Sequence, residues 1–235
     1  GDWNAILGFV GFAVGIGAGT FFLKRGYSLK RTYSLPKFDT AVMPVLMVGL
    51  LILVVMAPAF IFFSEKGPGA VHAFWAVSLI AGIVVGGLAQ YTRLCMVGGI
   101  RDIILFHETK LLMGFVAVFV AAFLVNLAFG NFHPGFANQP IAHTDGLWNF
   151  LGMALAGFCS ILLGGCPMRQ LIMTGEGNTD SAITVLGLVI GAAFAHNFGL
   201  AAGGNGPTFN GEVAVVLGFV VALIIAVVNT RKQGA

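Results

Sequence analysis

A chain of 235 residues with 58% hydrophobic and only 9% charged residues, at a mean hydropathy of +0.95, lies far outside the composition of soluble domains. A formal charge of +3 gives no basis for a nucleic-acid partner, and its meaning rests on which loops carry the basic residues. Cys95, Cys159 and Cys166 are an odd set in a chain without secreted-domain character, which argues against a disulfide framework and leaves them as thiols.

The chain opens Gly1-Asp2-Trp3, with no initiator methionine and no basic stretch ahead of its first apolar run, so that run is not expected to be a signal peptide. The expectation is the C-terminal part of a longer, internally duplicated protein, its N-terminal half missing or supplied by a companion chain. Seven stretches reach the roughly 20 mostly apolar residues that a bilayer crossing needs. They are 5–23, 40–63, 71–92, 111–130, 147–165, 181–200 and 213–229. The expected fold class is therefore all-α integral membrane, a single polytopic domain over residues 1–235 with the lipid bilayer as its solvent. Stretches 71–92, 147–165 and 181–200 carry polar residues or end at glycine pairs, and function is sought there.

Orientation follows from the excess of Lys and Arg in cytoplasmic loops. Lys24, Arg25, Lys30, Arg31 and Lys37 follow the first span, and Arg231 and Lys232 follow the last. Seven spans then put the N-terminus outside and the C-terminus in the cytoplasm. Arg93, Arg101, Lys110 and Arg169 fall on the cytoplasmic side too, and of the 12 basic residues Lys66 alone is external.

Small residues recur every fourth position at Gly11, Gly15 and Gly19, at Gly82 and Gly86, and at Gly187, Gly191 and Ala195. In lipid this spacing lets helix backbones approach closely, and no chemistry is assigned to it. A faint repeat relates Asp2-Trp3-Asn4-Ala5-Ile6, leading into Gly8 and Gly11, to Asp180-Ser181-Ala182-Ile183, leading into Gly187 and Gly191. Duplications of this kind build many transporters.

Chemistry concentrates at two broken-helix or re-entrant elements. In Gly164-Gly165-Cys166-Pro167-Met168-Arg169-Gln170 the glycines break a span and Pro167 opens a new helix, so Cys166 stands at a helix N-terminus. Free N–H groups and the helix dipole there favour an anion and lower a thiol's pKa, and Arg169 adds a positive charge. In Gln90-Tyr91-Thr92-Arg93-Leu94-Cys95-Met96-Val97-Gly98-Gly99-Ile100-Arg101-Asp102 a second span ends in a polar stretch. Backbone of this kind at membrane depth must be buried in protein or line a cavity, and two such breaks suggest a shared one. The expected pathway residues are Cys95, Cys166, Gly165, Pro167, Arg169, Met96 and Arg101, with Gln90, His196 and Asn197 as further candidates.

Several residues keep two meanings. Cys159 fits ordinary packing. Arg93 and Arg101 are pathway residues or interfacial charges, Arg101 being close in sequence to Asp102 and Glu108. His196-Asn197, late in a span, is a hydrogen-bonded structural pair or a ligand. No metal-ligand spacing occurs, since His133 and His143 share a loop and His72 and His107 are isolated. With no P-loop, dinucleotide fingerprint or serine-nucleophile motif, no metal, cofactor or energy-coupling domain is expected.

The stretch from Arg93-Leu94-Cys95 to Arg101-Asp102, paired with that from Gly164-Gly165-Cys166 to Gly175-Glu176-Gly177, resembles the YeeE/YedE family of bacterial inner-membrane proteins. One branch of that family is similar to thiosulfate transporters, and the YedE branch, to which the motifs here look closer, is associated with selenium. The resemblance implies an hourglass-like helical bundle in which cysteines at a central constriction pass an anion along through S–H hydrogen bonds, Cys95 and Cys166 being those relay thiols. It implies a small sulfur or selenium anion as substrate, a cytoplasmic sulfur or selenium carrier as possible partner, and transport in place of enzymatic turnover. A further Gly-Cys element usual in an N-terminal half is not in this sequence. The rival is a membrane thiol redox enzyme or a sulfurtransferase carrying persulfide on Cys166, against which stands the lack of a Cys-x-x-Cys pair.

Overall fold

A computed structural model describes residues 1–29, 41–59, 72–137, 139 and 143–230. Lys30, Arg31, Lys37, Lys66, Arg231 and Lys232, used above for orientation, lie outside the described residues, as do Thr40, the end of the second predicted span and Val71. The described residues form α1 (Trp3–Lys24), α2 (Val42–Met56), α3 (Trp75–Thr92), α4 (Met96–Phe106) and α5 (Lys110–Ala128), then α6 (Gly146–Leu162), α7 (Pro167–Gly175), α8 (Thr179–Asn197) and α9 (Phe209–Val228). Among them there is no strand, only isolated bridges.

Six helical stretches are long and apolar enough to cross a membrane, two of them the continuous runs Trp75–Phe106 and Gly146–Gly175 that include the short helices α4 and α7. The described part of α2 is a seventh apolar helix of 15 residues, about 22 Å long. The all-α membrane fold and the two broken elements are thus as expected. Runs such as Val54-Val55 in α2 and Val227-Val228 in α9 would favour strands in water. In lipid only a helix satisfies every backbone group within its own segment. The starts are set by side-chain caps: Asp2 accepts from the Asn4 N–H at 2.9 Å, Asp145 from Trp148 at 3.2 Å, Asn178 from Ser181 at 2.9 Å and Thr208 from Gly211 at 2.9 Å.

The tightest packing is between α1 and α6, which run parallel. A Cβ on Gly11 would strike the Phe150 backbone, one on Gly15 the Ala154 backbone, and one on Gly157 the Phe12 backbone, so these glycines allow the two backbones to touch. Phe12 and Ile16 of α1, Val97 of α4, Phe158 and Ile161 of α6, and Ala222 and Ala226 of α9 build the core around this seam. By contrast α3 buries only Ala89 along its length and α5 buries nothing, leaving broad apolar faces suited to lipid. The glycine spacing of α1 is a packing seam, whereas Gly82, Gly86, Gly187 and Gly191 have nothing within 4 Å of an added Cβ.

The ends of α1, α6 and α9 meet on one side. Tyr27 donates to the Leu162 carbonyl at 3.3 Å, and the Ser28 N–H donates to the Asn229 carbonyl at 3.2 Å. Burial, with Cys159 beside it, holds the Tyr27 phenol above its ordinary pKa and so keeps it a donor throughout the neutral range.

Candidate functional site

Both breaks are built alike. Helix α3 ends on Arg93 in the left-handed region (φ 52°), whose N–H bonds the Gln90 carbonyl at 3.2 Å while the Leu94 N–H bonds Ala89 at 3.0 Å; Cys95 follows and caps α4. Helix α6 ends on Gly164 (φ 83°), whose N–H bonds Ile161 at 3.1 Å while the Gly165 N–H bonds Ser160 at 3.0 Å; Cys166 follows and caps α7 with Pro167 in its first turn. Each is a Schellman-type stop followed, one residue later, by a cysteine that opens a short helix. This repeat of elbows is distinct from the faint similarity between the starts of α1 and α8. Gly164 takes the left-handed turn at little cost, but a side chain there is strained by about 1–2 kcal/mol. Arg93→Gly is therefore expected to raise stability by up to about 1 kcal/mol, seen as a higher midpoint of thermal unfolding in detergent.

The elbows bring together two cysteines that are far apart in sequence. Cys95 and Cys166 are each 7% exposed, share one cluster and are free of disulfide bonds. Their thiols meet, close enough for the S–H of one to bond to the sulfur of the other. Met96, Met168 and Cys159 pack against the same core cluster, so five sulfur-bearing residues belong to it. Gly98 and Gly99 let α5 lie close against the start of α4: a Cβ on Gly98 would lie 3.3 Å from Leu111 Cδ1, and one on Gly99 3.0 Å from the Leu112 backbone nitrogen.

The expected helix N–H, that of Arg169, does lie beside the Cys166 thiol, but the closed cap bond is at the other cysteine. The Gly98 N–H donates to Cys95 Sγ at 3.3 Å, whereas the Cys166 side chain makes no such cap bond to α7. Arg169, expected to add a positive charge at this elbow, has partners there. It donates to Gln90 Oε1 at 2.9 Å and lies 3.8 Å from Glu176, and the Gln90 amide also bonds to Glu176, so α3 is tied to α7. Arg101 pairs with its neighbour Asp102 at 2.7 Å. His196 and Asn197 do not join the site: both are exposed, Asn197 donates to Ala193 of its own helix at 2.8 Å, and α8 carries them about 27 Å along its axis from the end that abuts α7.

Gln170 is a supporting residue to which the sequence motif assigns no role. Only 3% exposed, it donates from Nε2 to the Leu163 carbonyl at 3.0 Å and so fastens α7 back onto the end of α6 across the Cys166 turn. Nothing in its spacing signals this, because the partner is a backbone carbonyl. Gln170→Leu leaves that carbonyl unpaired and is expected to cost about 1–3 kcal/mol, measurable by chemical unfolding of the purified protein.

Two discontinuous spans whose short helices open on facing thiols, within an apolar helical bundle, define a polytopic membrane protein of the transport type. The chain belongs to the sulphur transport family, that of YeeE and YedE, whose family model, described as "Sulphur transport", matches residues 91–232, more than half of the chain and both elbows. No curated protein and no solved structure matches the chain.

Proposed function

We propose that this protein carries a small sulfur- or selenium-containing anion, thiosulfate or a selenium analogue, across a bacterial inner membrane, its N-terminus outside and its C-terminus in the cytoplasm. The likeness of the motifs to the YedE branch is the reason to include selenium. The observation that carries the proposal is the meeting of Cys95 and Cys166 at the openings of two short helices. Because the thiols meet, the soft terminal atom of the anion engages both at one narrow point, and the two act together and not one after the other. Hydrogen bonds involving sulfur are weak, which suits a passing ion that must leave as readily as it enters. A cytoplasmic sulfur or selenium carrier would receive the anion.

Arg169 supplies the charge that draws the anion in, held between visits by Gln90 and Glu176. A dianion competes with the single Glu176 carboxylate for that guanidinium. Glu176→Gln removes the competitor and is expected to lower the KM for uptake several-fold, on the scale of about 1 kcal/mol for a half-exposed pair. An unchanged KM would remove Arg169 from the pathway.

The decisive test is uptake of labelled thiosulfate and selenite by cells lacking their own transporters, expressing the whole gene as wild type or as Cys166→Ala. Uptake that needs Cys166 supports the proposal, and no uptake of either anion refutes it. The thiol contact also favours a second reading, a membrane dithiol enzyme or sulfurtransferase, since it supplies through space the pair that no Cys-x-x-Cys motif provides. Persulfide or disulfide accumulating on Cys166 during turnover, seen by mass spectrometry, would favour it.

A further inference from the structure

We propose that Cys95 and Cys166, with Met96 and Met168 of the same core cluster as further sulfur donors, form a binding site for one soft monovalent cation, Cu(I) or its analogue Ag(I). The proposal does not depend on the transported anion, because it rests on the donor set alone. Two thiols from separate, fixed helix caps already meet without any segment having to fold around an ion. A metal–sulfur bond is about 2.3 Å long, so the sulfurs need be no more than about 4.6 Å apart to hold an ion between them. The thioether residues Met96 and Met168 pack against the same cluster. Thiolate and thioether donors together select Cu(I) among biological metals.

Harder ions find no comparable set. Among the described residues no group of three or more His, Cys, Asp or Glu is placed to hold a metal, so the four-ligand site that Zn(II) prefers is not present there. Binding is ligand exchange without redox change. Each thiol gives up its proton to solvent, two metal–sulfur bonds form, and the ion keeps its single charge, leaving one net negative charge at the centre. The N-terminal ends of α4 and α7 offset that charge.

The test is titration of the purified protein in detergent with Cu(I), in competition with a chromophoric Cu(I) chelator under reducing conditions. The expected result is one Cu(I) per chain for the wild type and for Cys159→Ser, and none for Cys95→Ser or Cys166→Ser. Met96→Leu combined with Met168→Leu should weaken binding roughly tenfold or more, the scale of losing support around a metal site. Excess Zn(II) should not displace the ion. Circular dichroism establishes that the variants keep their helices, and X-ray absorption of the copper-loaded wild type, which needs no variant, should show sulfur scatterers only. No binding by the wild type, full binding by either serine variant, displacement by Zn(II), or nitrogen and oxygen scatterers around the copper would each overturn the proposal.

Discussion

Uptake of the labelled anion by Cys166→Ala is expected to fall about ten- to a hundredfold, with the protein still folded and inserted. The magnitude follows from the bond that is lost: a hydrogen bond to a charged partner contributes about 1.5–3 kcal/mol, and every 1.4 kcal/mol is a factor of ten. The variant removes one sulfur from a cluster in which Val97, Phe158 and Ile161 supply most of the apolar burial, so the fold should survive. Because Cys95 and Cys166 meet, Cys95→Ala is expected to give a loss of similar size, and the double variant little more than either single one. Such non-additivity is the signature of groups acting at one point, whereas two independent sites in series would lose activity cumulatively. Cys166→Ser retains a donor but not the polarisable sulfur, and should recover part of the uptake. Uptake by both alanine variants at the wild-type rate would remove the thiols from the pathway.

Gly15→Ala and Gly157→Ala are expected to destabilise the protein by about 1–3 kcal/mol each, and together to prevent accumulation of folded protein. The added Cβ of the first meets the backbone of Ala154 and that of the second the backbone of Phe12, and neither obstacle can turn aside as a flexible side chain would. The helices α1 and α6 must then separate along their shared seam. Since α6 leads directly into the Cys166 elbow, displacing it also moves that thiol away from Cys95, so uptake should fall further than the loss of protein accounts for. The control is Gly187→Ala in α8, where nothing lies within 4 Å of the new methyl. There the higher helix propensity of alanine should leave stability unchanged or raised by up to about 1 kcal/mol. Thermal unfolding in detergent together with the yield of monodisperse protein checks all three, and equal effects at Gly15 and Gly187 would contradict the assignment of the seam.

Hydrophobic length determined the membrane fold from the sequence alone, because a run of some 20 apolar residues has no other stable environment and, within lipid, no other stable form than a helix. Gly164-Gly165-Cys166-Pro167 likewise disclosed its elbow, since a left-handed stop and a proline start are local properties of those residues. The matching stop at Arg93 was hidden, for a non-glycine residue in the left-handed region is imposed by its surroundings. Equally hidden were the partners of Arg169, the bond from Gln170 to Leu163, and the choice of Gly11, Gly15 and Gly157 over Gly82 and Gly187 as packing glycines. These depend on which helix lies alongside which, and lipid gives an apolar face no preference that a sequence could record. The tertiary structure alone turned two separate cysteine motifs into one thiol pair, because contact between residues so far apart in the chain is set by the packing of α4, α6 and α7 and by nothing within either motif.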